Sequence, residues 1–432
     1  MEQSLIAAVS GIEANQTYLD VIGNNIANSD TTGYKAEDPV FTDLLAEQIA
    51  GASAPSAGQS AGIDPIAVGS GVRVGAVTND QSQGAVQQTN QPTDVAIQGA
   101  GFLVADQDGQ QFYTRAGNLT LDANGDLATP TGSLIQGWQA TGQGTIDTNA
   151  PIGVVSIPNG QVMAAQATSN FTMEGNFPAW DGSGTPPIVT TTLNGYDSLG
   201  NTIPVTLTFT GVAGTANSWT VQGTVPDGSS TSNLWTTAPT IDFNSTTGQI
   251  ASITGVTANS DGSWTLPVTT MPPGATFPAG DTWKFEFPPG GSIDAVTQFG
   301  GEQTAQLTTQ NGNSAGTLES FTIGGDGVIS GAFSNGLTEP IAQLALATFS
   351  NPTGLIDDGN LQYSASANSG QAAVGTAGTG GRGNLLGGAL ESSNVDLATE
   401  LTDMIEAQES YQADTKVVST TSTVLQSLVE MQ

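Results

Sequence analysis

The stretch that decides the fold opens the chain: Gln3-Ser4-Leu5-Ile6-Ala7-Ala8-Val9-Ser10-Gly11-Ile12-Glu13-Ala14-Asn15-Gln16-Thr17-Tyr18-Leu19-Asp20-Val21-Ile22-Gly23-Asn24-Asn25-Ile26-Ala27-Asn28. Leu5, Ile12, Leu19 and Ile26 recur every seven residues, with Ala8, Asn15 and Ile22 at the intervening positions. That spacing predicts one helix over about residues 3–28 with a single apolar stripe. Asn28-Ser29-Asp30, then Thr31-Thr32-Gly33, supply residues that tolerate turn geometry and a glycine able to take positive φ, so the helix stops there. A second heptad closes the chain: Leu397, Met404, Tyr411, Val418 and Leu425, supported by Leu401, Leu428 and Val429, from about residue 394 to the C-terminus. Ser393 or Asn394 is placed to cap it, and Asp396 suits the positive end of its dipole. The pattern alone serves either helix packing on a globular core or pairing of the two. Their position at opposite ends, with no comparable heptad between them, favours pairing.

Between the helices the sequence reads as β structure. Asp94–Val104, Gln111–Thr114 and Asn118–Leu121 are short alternating segments separated by Asp-Gly and Asn-Gly turns. A second β-rich block starts near residue 164, with strands expected at Ile203–Thr210, Ser218–Thr224, Ser263–Thr269 and Asp281–Phe287, and it carries Trp180, Trp219, Trp235, Trp264 and Trp283. Hairpins resume after about 309, with Phe321–Ile323, Val328–Ser330 and Ile341–Phe349. Residues 51–62 and 375–383 are small, glycine-rich and linker-like. The expected fold class is therefore α+β: paired N- and C-terminal helices forming a coiled-coil-like core, with two nested, mainly β domains. The expected boundaries are a helical core from 1–40 plus 392–432, a connecting region at 41–75, a discontinuous β domain from 76–163 plus 309–391, and an inserted outer β domain at 164–308.

Composition removes most chemistry. The 432 residues include 6 Lys and Arg against 39 Asp and Glu, a net charge of −33, yet only 10% are charged, where about 25% is usual. There is no His and no Cys, which eliminates the commonest general base, the commonest zinc ligands, thiol nucleophiles and disulfides. The cations Lys35, Arg73, Arg115, Lys284, Arg382 and Lys416 are scattered, so no basic patch awaits nucleic acid. No apolar run approaches the roughly 20 residues of a membrane span, and no cationic leader with a cleavage site opens the chain. Neither membrane insertion nor a cleaved signal is expected.

Three segments imitate functional motifs. Gly58-Gln59-Ser60-Ala61-Gly62 matches a nucleophile elbow but has no histidine to activate its serine. Gly378-Thr379-Gly380-Gly381-Arg382-Gly383 fits a dinucleotide fingerprint but lacks the βαβ context. Asp122-Ala123-Asn124-Gly125-Asp126 begins like a calcium loop, then places Leu127 where glycine is required and Ser133 where a bidentate Glu belongs, so a hairpin turn is expected. No catalytic, cofactor or metal residue emerges, and an enzyme is not expected.

Asn24-Asn25-Ile26-Ala27-Asn28-Ser29-Asp30-Thr31-Thr32-Gly33-Tyr34-Lys35 closely resembles the N-terminal signature of the bacterial flagellar rod and hook axial proteins. Ser392-Ser393-Asn394-Val395-Asp396-Leu397-Ala398-Thr399-Glu400-Leu401 with Ile405–Ala413 resembles their C-terminal one. Asp94–Ile97, Gly101–Leu103 and Phe112–Gly117 are similar to the family's middle β domain, so the resemblance covers about 1–163 and 309–432; Tyr196–Asn201 extends it loosely into the insert. The resemblance implies a self-assembling structural subunit. A large inserted domain points to the hook, acting as a flexible, curved, torque-transmitting tube; a distal rod protein is the alternative within the family. A secreted surface or carbohydrate-binding β protein, with the tryptophans as its face, is the alternative from another class.

The same resemblance implies helical homopolymerisation and contact with the flagellar rod, hook cap and hook–filament junction proteins. It also implies an extracellular position reached through the flagellar type III export gate, with no nucleic acid or membrane insertion. Phe41-Thr42-Asp43-Leu44-Leu45 resembles the family's export motif, with Phe41 and Leu45 as its hydrophobic pair; an ordinary buried pair on one helical turn is the plainer reading. Leu5, Ile12, Leu19, Ile22, Ile26, Leu397, Leu401, Met404, Tyr411, Val418 and Leu425 are the expected assembly residues. Asn15, Asn24, Asn25 and Asn28 serve either bonding between helices or capping. The acidic residues of the C-terminal helix face only Lys416 nearby, so assembly is expected to respond to salt and mild acid.

Overall fold

A computed structural model describes residues 2–52, 64–142, 144–158, 160–228 and 230–430. The chain divides into two compact units, one of Met1–Asn159, Ser320–Gly331 and Thr338–Gln432, the other of Gly160–Glu319 and Ala332–Leu337.

In the first unit, helix α1 (Glu2–Ala27) and helix α2 (Leu397–Glu430) pack on each other. They run antiparallel, because Asn25 reaches Glu400 and Asn15 reaches Asp414. The contact is offset from the heptad of large residues. On α1 the buried positions are Ala8, Gly11, Ala14, Val21, Ile22 and Asn25; on α2 they are Glu400 and Ala407, with Asp414 and Thr421 half-buried. Leu397 and Leu401, expected in the seam, are each 47% exposed, and Leu425 is exposed too. Helices approach closely only where side chains are small; a Cβ on Gly11 would lie 2.5 Å from Asp414 Oδ2. Small and amide-bearing residues, joined by Val21 and Ile22, are therefore the buried ones, and the other large apolar residues flank them.

The start of α2 also differs from expectation. Its cap is Asp396, whose Oδ1 accepts from the Ala398 N–H at 2.9 Å. Asn394 instead accepts from Ala36 N at 2.8 Å.

The connecting region is not slack chain. Strand β1 (Glu37–Asp43) pairs antiparallel with β4 (Val72–Asn79), and β2 (Ala46–Ala50) with β3 (Ile66–Gly69). α1 packs on both β1 and β4, with the Tyr18 and Phe41 rings edge-on at 5.7 Å. The glycine-rich segment at 53–62, including the elbow-like serine, lies outside the described residues.

Next come β5 (Val86–Gln88), β6 (Val95–Gln98), β7 (Phe102–Gln107) and β8 (Gln110–Thr114). Asp108 and Gly109, at φ 55° and 82°, make the primed turn that joins β7 to β8. A sheet runs from Thr338–Leu344 through Leu134–Gln139, β7 and β8 to Gln362–Ser364 and Ile356–Gly359. Phe102, Tyr113, Trp138, Phe349 and Tyr363 fill its core, with Tyr113 and Phe349 edge-on at 4.8 Å. The approach to α2 is itself a pair of strands: Asn384–Gly387 pairs with β6 and Ala389–Glu391 with β5. The calcium-like segment is the expected turn, Asp122 accepting from the Asn124 and Asp126 N–H groups at 2.8 Å. Residues 375–383 depart from the linker expectation: Arg382 donates to Thr376 O and Thr379 Oγ1 at 2.9 Å, and Gly383 N bonds Ala100 O at 2.7 Å. The loop is held closed by its one cation.

Among its described residues the second unit carries two main sheets. One orders Ile188–Tyr196, Thr202–Gly211, Ser218–Asp227, Thr240–Phe243 and Ile250–Ile253; the other orders Trp264–Pro267, Lys284–Phe287, Asn170–Pro178 and Val296–Phe299. Strand alternation sends Val205, Leu207 and Phe209 inward. They meet Phe171, Phe177, Trp219, Trp283 and Phe285 in one aromatic core. Trp180, Trp219, Trp235 and Trp283 are buried and Trp264 is half-buried, so the tryptophans build a core and do not form an open binding face. Tyr196–Asn201 is the turn between Ile188–Tyr196 and Thr202–Gly211, where buried Asp197 accepts from Leu199 N and Asn201 N.

Candidate assembly site at the helix junction

Where the ends of the chain meet, three charges are buried together. Lys35 Nζ lies 2.7 Å from Glu391 Oε1, and Arg115 Nε lies 3.2 Å from Glu391 Oε2. The lysine, two residues beyond α1's terminating Gly33, also donates to Ser82 O at 2.6 Å; the arginine immediately follows β8 and donates to Gly99 O at 2.9 Å. Gly84 N donates to Glu391 Oε1 at 2.9 Å, and Gly33 N to Glu391 O at 2.8 Å. Gly33 needs its φ of 75°, and a Cβ there would strike the Ala116 backbone at 2.9 Å. Burial pulls the Lys35 ammonium below its ordinary pKa, and the Glu391 hydrogen bond partly offsets this. These are the only two ion pairs among the described residues.

Beside the triad, Asn25 is fully satisfied. Its amide donates to Glu400 Oε1 at 3.0 Å and to Glu37 O at 2.9 Å, and its Oδ1 accepts from Tyr34 OH and Glu37 N, each at 3.0 Å. Asn394 ties the other side: Ala36 N donates to its Oδ1 at 2.8 Å, and its amide donates to Asp80 O and Ser82 Oγ at 3.0 Å. The asparagines thus divide. Asn15 and Asn25 bond between helices, while Asn28 donates back to Asn24 O at 3.0 Å and closes α1. Burial, with Asp403, Asp38 and Asp396 nearby, raises the Glu400 carboxyl against the pull of Asn25; burial likewise raises Glu37 and Asp38. Burial first, then surrounding carboxylates, pushes the Tyr18 hydroxyl up to about 12.

Of the expected assembly residues, Ile22 is buried; Leu5, Ile12, Leu19, Ile26, Met404, Tyr411 and Val418 are half-buried; Leu397, Leu401 and Leu425 are exposed. Of the signature residues, Tyr34 and Lys35 are buried, Thr32, Ile26 and Val395 are half-buried, and Ala27 and Asp396 are exposed. Ile6, Val9, Ile405, Val417, Val424 and Val429 are further exposed apolar residues on the two helices. Phe41 sits in β1 and Leu45, 88% exposed, turns the corner into β2, so this pair is neither helical nor buried. Arg115 and Glu391 escaped the sequence reading of the site. The available signal was scarcity, since in so uncharged a chain every cation is unusual. Among the described residues there is no cluster of three or more potential metal ligands, and no helix is long and apolar enough to cross a membrane.

Four family models match the chain: Flagella basal body rod protein over 5–35, Flagellar hook protein FlgE/F/G D1 domain over 96–176, Flagellar basal body protein FlaE D2 domain over 188–313, and Flagellar basal body rod FlgEFG protein C-terminal over 386–431. The chain is 34% identical to the flagellar hook protein FlgE of Borreliella burgdorferi over the whole of both chains. It is 35% identical to that of Treponema pallidum, again over the whole of both, and 35% identical to that of Escherichia coli over 98% of each. In fold it is similar to the crystal structure of Helicobacter pylori flagellar hook protein FlgE2, with a TM-score of 0.51 and 14% identity, covering 69% of this chain and 98% of that one. End-to-end likeness to hook proteins, insert included, decides between hook and rod: the chain belongs to the FlgE family of flagellar hook proteins and is a structural subunit of the bacterial flagellar hook.

Proposed function

We propose that α1 and α2 line the inner wall of a helical homopolymer, and that the polymer is a curved tube acting as a universal joint between rod and filament. The observation that carries this is the apolar surface left open on the helices, with Leu397, Leu401, Ile405, Val424 and Val429 exposed on α2 and Ile6 and Val9 on α1. A monomer gains nothing from such residues in water, whereas head-to-tail contacts that do not close bury them along a filament. Residues 164–308 serve as the outer domain, sliding on neighbours through small, polar, lightly charged surfaces while the core stays interlocked. The subunit passes unfolded and uncleaved through the type III export gate, which Phe41 and Leu45 engage, to an extracellular position. There it meets the rod, the hook cap and the hook–filament junction proteins.

Electron microscopy of the purified chain tests the reading. Curved tubes are expected; straight rigid tubes would remove the joint, and monomers at every concentration and salt would remove the polymer. Deleting 164–308 is expected to abolish curvature and motility, and unchanged motility would refute the role given to that domain.

A further inference from the structure

The two terminal helices are nearly devoid of positive charge. α1 has no Lys or Arg, and α2 has only Lys416, against Glu400, Asp403, Glu406, Glu409, Asp414 and Glu430. Lys416 is exposed and makes no ion pair among the described residues. It stands two residues from Asp414, which meets Gly11 and Asn15 of α1, and two from half-buried Val418, so its side chain leaves the opposite side of α2. On α1, Glu13 and Asp20 are exposed and unpaired in the same sense. Each lies two residues from positions that face α2, namely Gly11 and Asn15 for Glu13, Ile22 for Asp20, so both point away from α2 within the chain. Seven residues apart, they share one outward side of α1, about 10 Å from each other along the axis.

We propose that Lys416 of one copy docks between Glu13 and Asp20 on α1 of a neighbouring copy, and that this contact fixes the register of the tube wall. It rests on the polymer reading above. A head-to-tail polymer keeps all copies pointing one way, so α1 of one copy meets α2 of the next antiparallel, as within a single copy. With Lys416 level with residues 16 and 17, Val9 of one copy stands level with Val424 of the other, and both are exposed apolar side chains. The one cation of the helices thereby meets two outward carboxylates of α1 while two open apolar residues cover each other. In a wall crowded with acidic groups, this is the pairing that replaces repulsion with attraction.

The absence of cysteine makes the test direct. A full chain carrying Gln16→Cys, at the level of Lys416 in this register, and Lys416→Cys, assembled and then oxidised, is expected to give a ladder of covalent multimers on a denaturing gel. Lys416→Glu should raise the concentration needed for assembly about ten-fold or more, with unchanged helical circular dichroism, and the triple variant E13K/D20K/K416E should restore it. Tubes of the double-cysteine chain that give only monomer after oxidation overturn this pairing alone; a wild-type chain that forms no tubes overturns the polymer reading itself.

Discussion

At the residue scale the junction depends on Glu391. It is the single anion between two buried cations, and Gly84 N and the Lys35 ammonium share one of its oxygens. Removing it leaves Lys35 and Arg115 facing each other with no counter-charge, where breaking a buried pair costs about 3–5 kcal/mol. Glu391→Ala should lower stability by that amount in denaturant unfolding followed by helical circular dichroism, whereas Lys35→Met, which leaves Glu391 paired with Arg115, should cost clearly less. Equal losses in the two variants would show that packing, and not charge, holds the junction. Separation along the chain hides this group. Lys35 and Arg115 are 80 positions apart in the chain and Glu391 lies 276 beyond Arg115, and nothing local distinguishes a buried ion from a solvated one. The turn at Gly33 was legible because its geometry is local; the inter-helix bonds of Asn15 and Asn25 span 399 and 375 positions, so the sequence left bonding and capping both open for them.

At the element scale the two helices could be read from periodicity, but their seam could not. Counting large apolar residues picks out the Leu5, Ile12, Leu19, Ile26 stripe, yet close helix contact favours Ala8, Gly11 and Ala14, whose hydrophobicity is small. The β1/β4 hairpin was hidden for a related reason: most of its residues are half-buried or exposed, so its alternation of apolar and polar residues is weak. This seam carries a pH response. Glu400, Glu37 and Asp38 are raised above the usual carboxylate range, by burial first. A raised carboxyl binds protons more tightly folded than unfolded, so its penalty is full well above the folded pKa and fades as pH falls through it. The helix pair should therefore melt higher at about pH 5 than at pH 7, and Glu400→Gln, which still accepts from Asn25, should flatten the difference. Buried Asp197 in the second unit has the opposite sign. Burial pushes it up, but hydrogen bonds from Asn201, Thr276 and Leu199 hold it low, so its contribution is present at neutral pH and is lost only on further acidification.

For the whole molecule the governing quantity is the net charge of −33. Three of the six cations do internal tasks, Lys35 and Arg115 at the junction and Arg382 in its loop, which leaves Arg73, Lys284 and Lys416 to oppose the outward carboxylates. Copies brought together therefore repel unless the charge is screened or titrated. Screening acts over about 8 Å at physiological ionic strength and about 3 Å at 1 M, so added salt shortens the repulsion while leaving burial of Leu401, Ile405 and Val424 intact. Light scattering of the purified chain should show the concentration needed for assembly falling as salt rises from low to physiological, and falling again from pH 7 toward pH 5. The two effects should not add fully, because protonation removes the same charges that salt screens. Assembly indifferent to both conditions would mean that the carboxylates of α2 do not approach one another in the polymer. Assembly weakened by salt would mean that attraction between opposite charges, of the kind Lys416 provides, outweighs the repulsion.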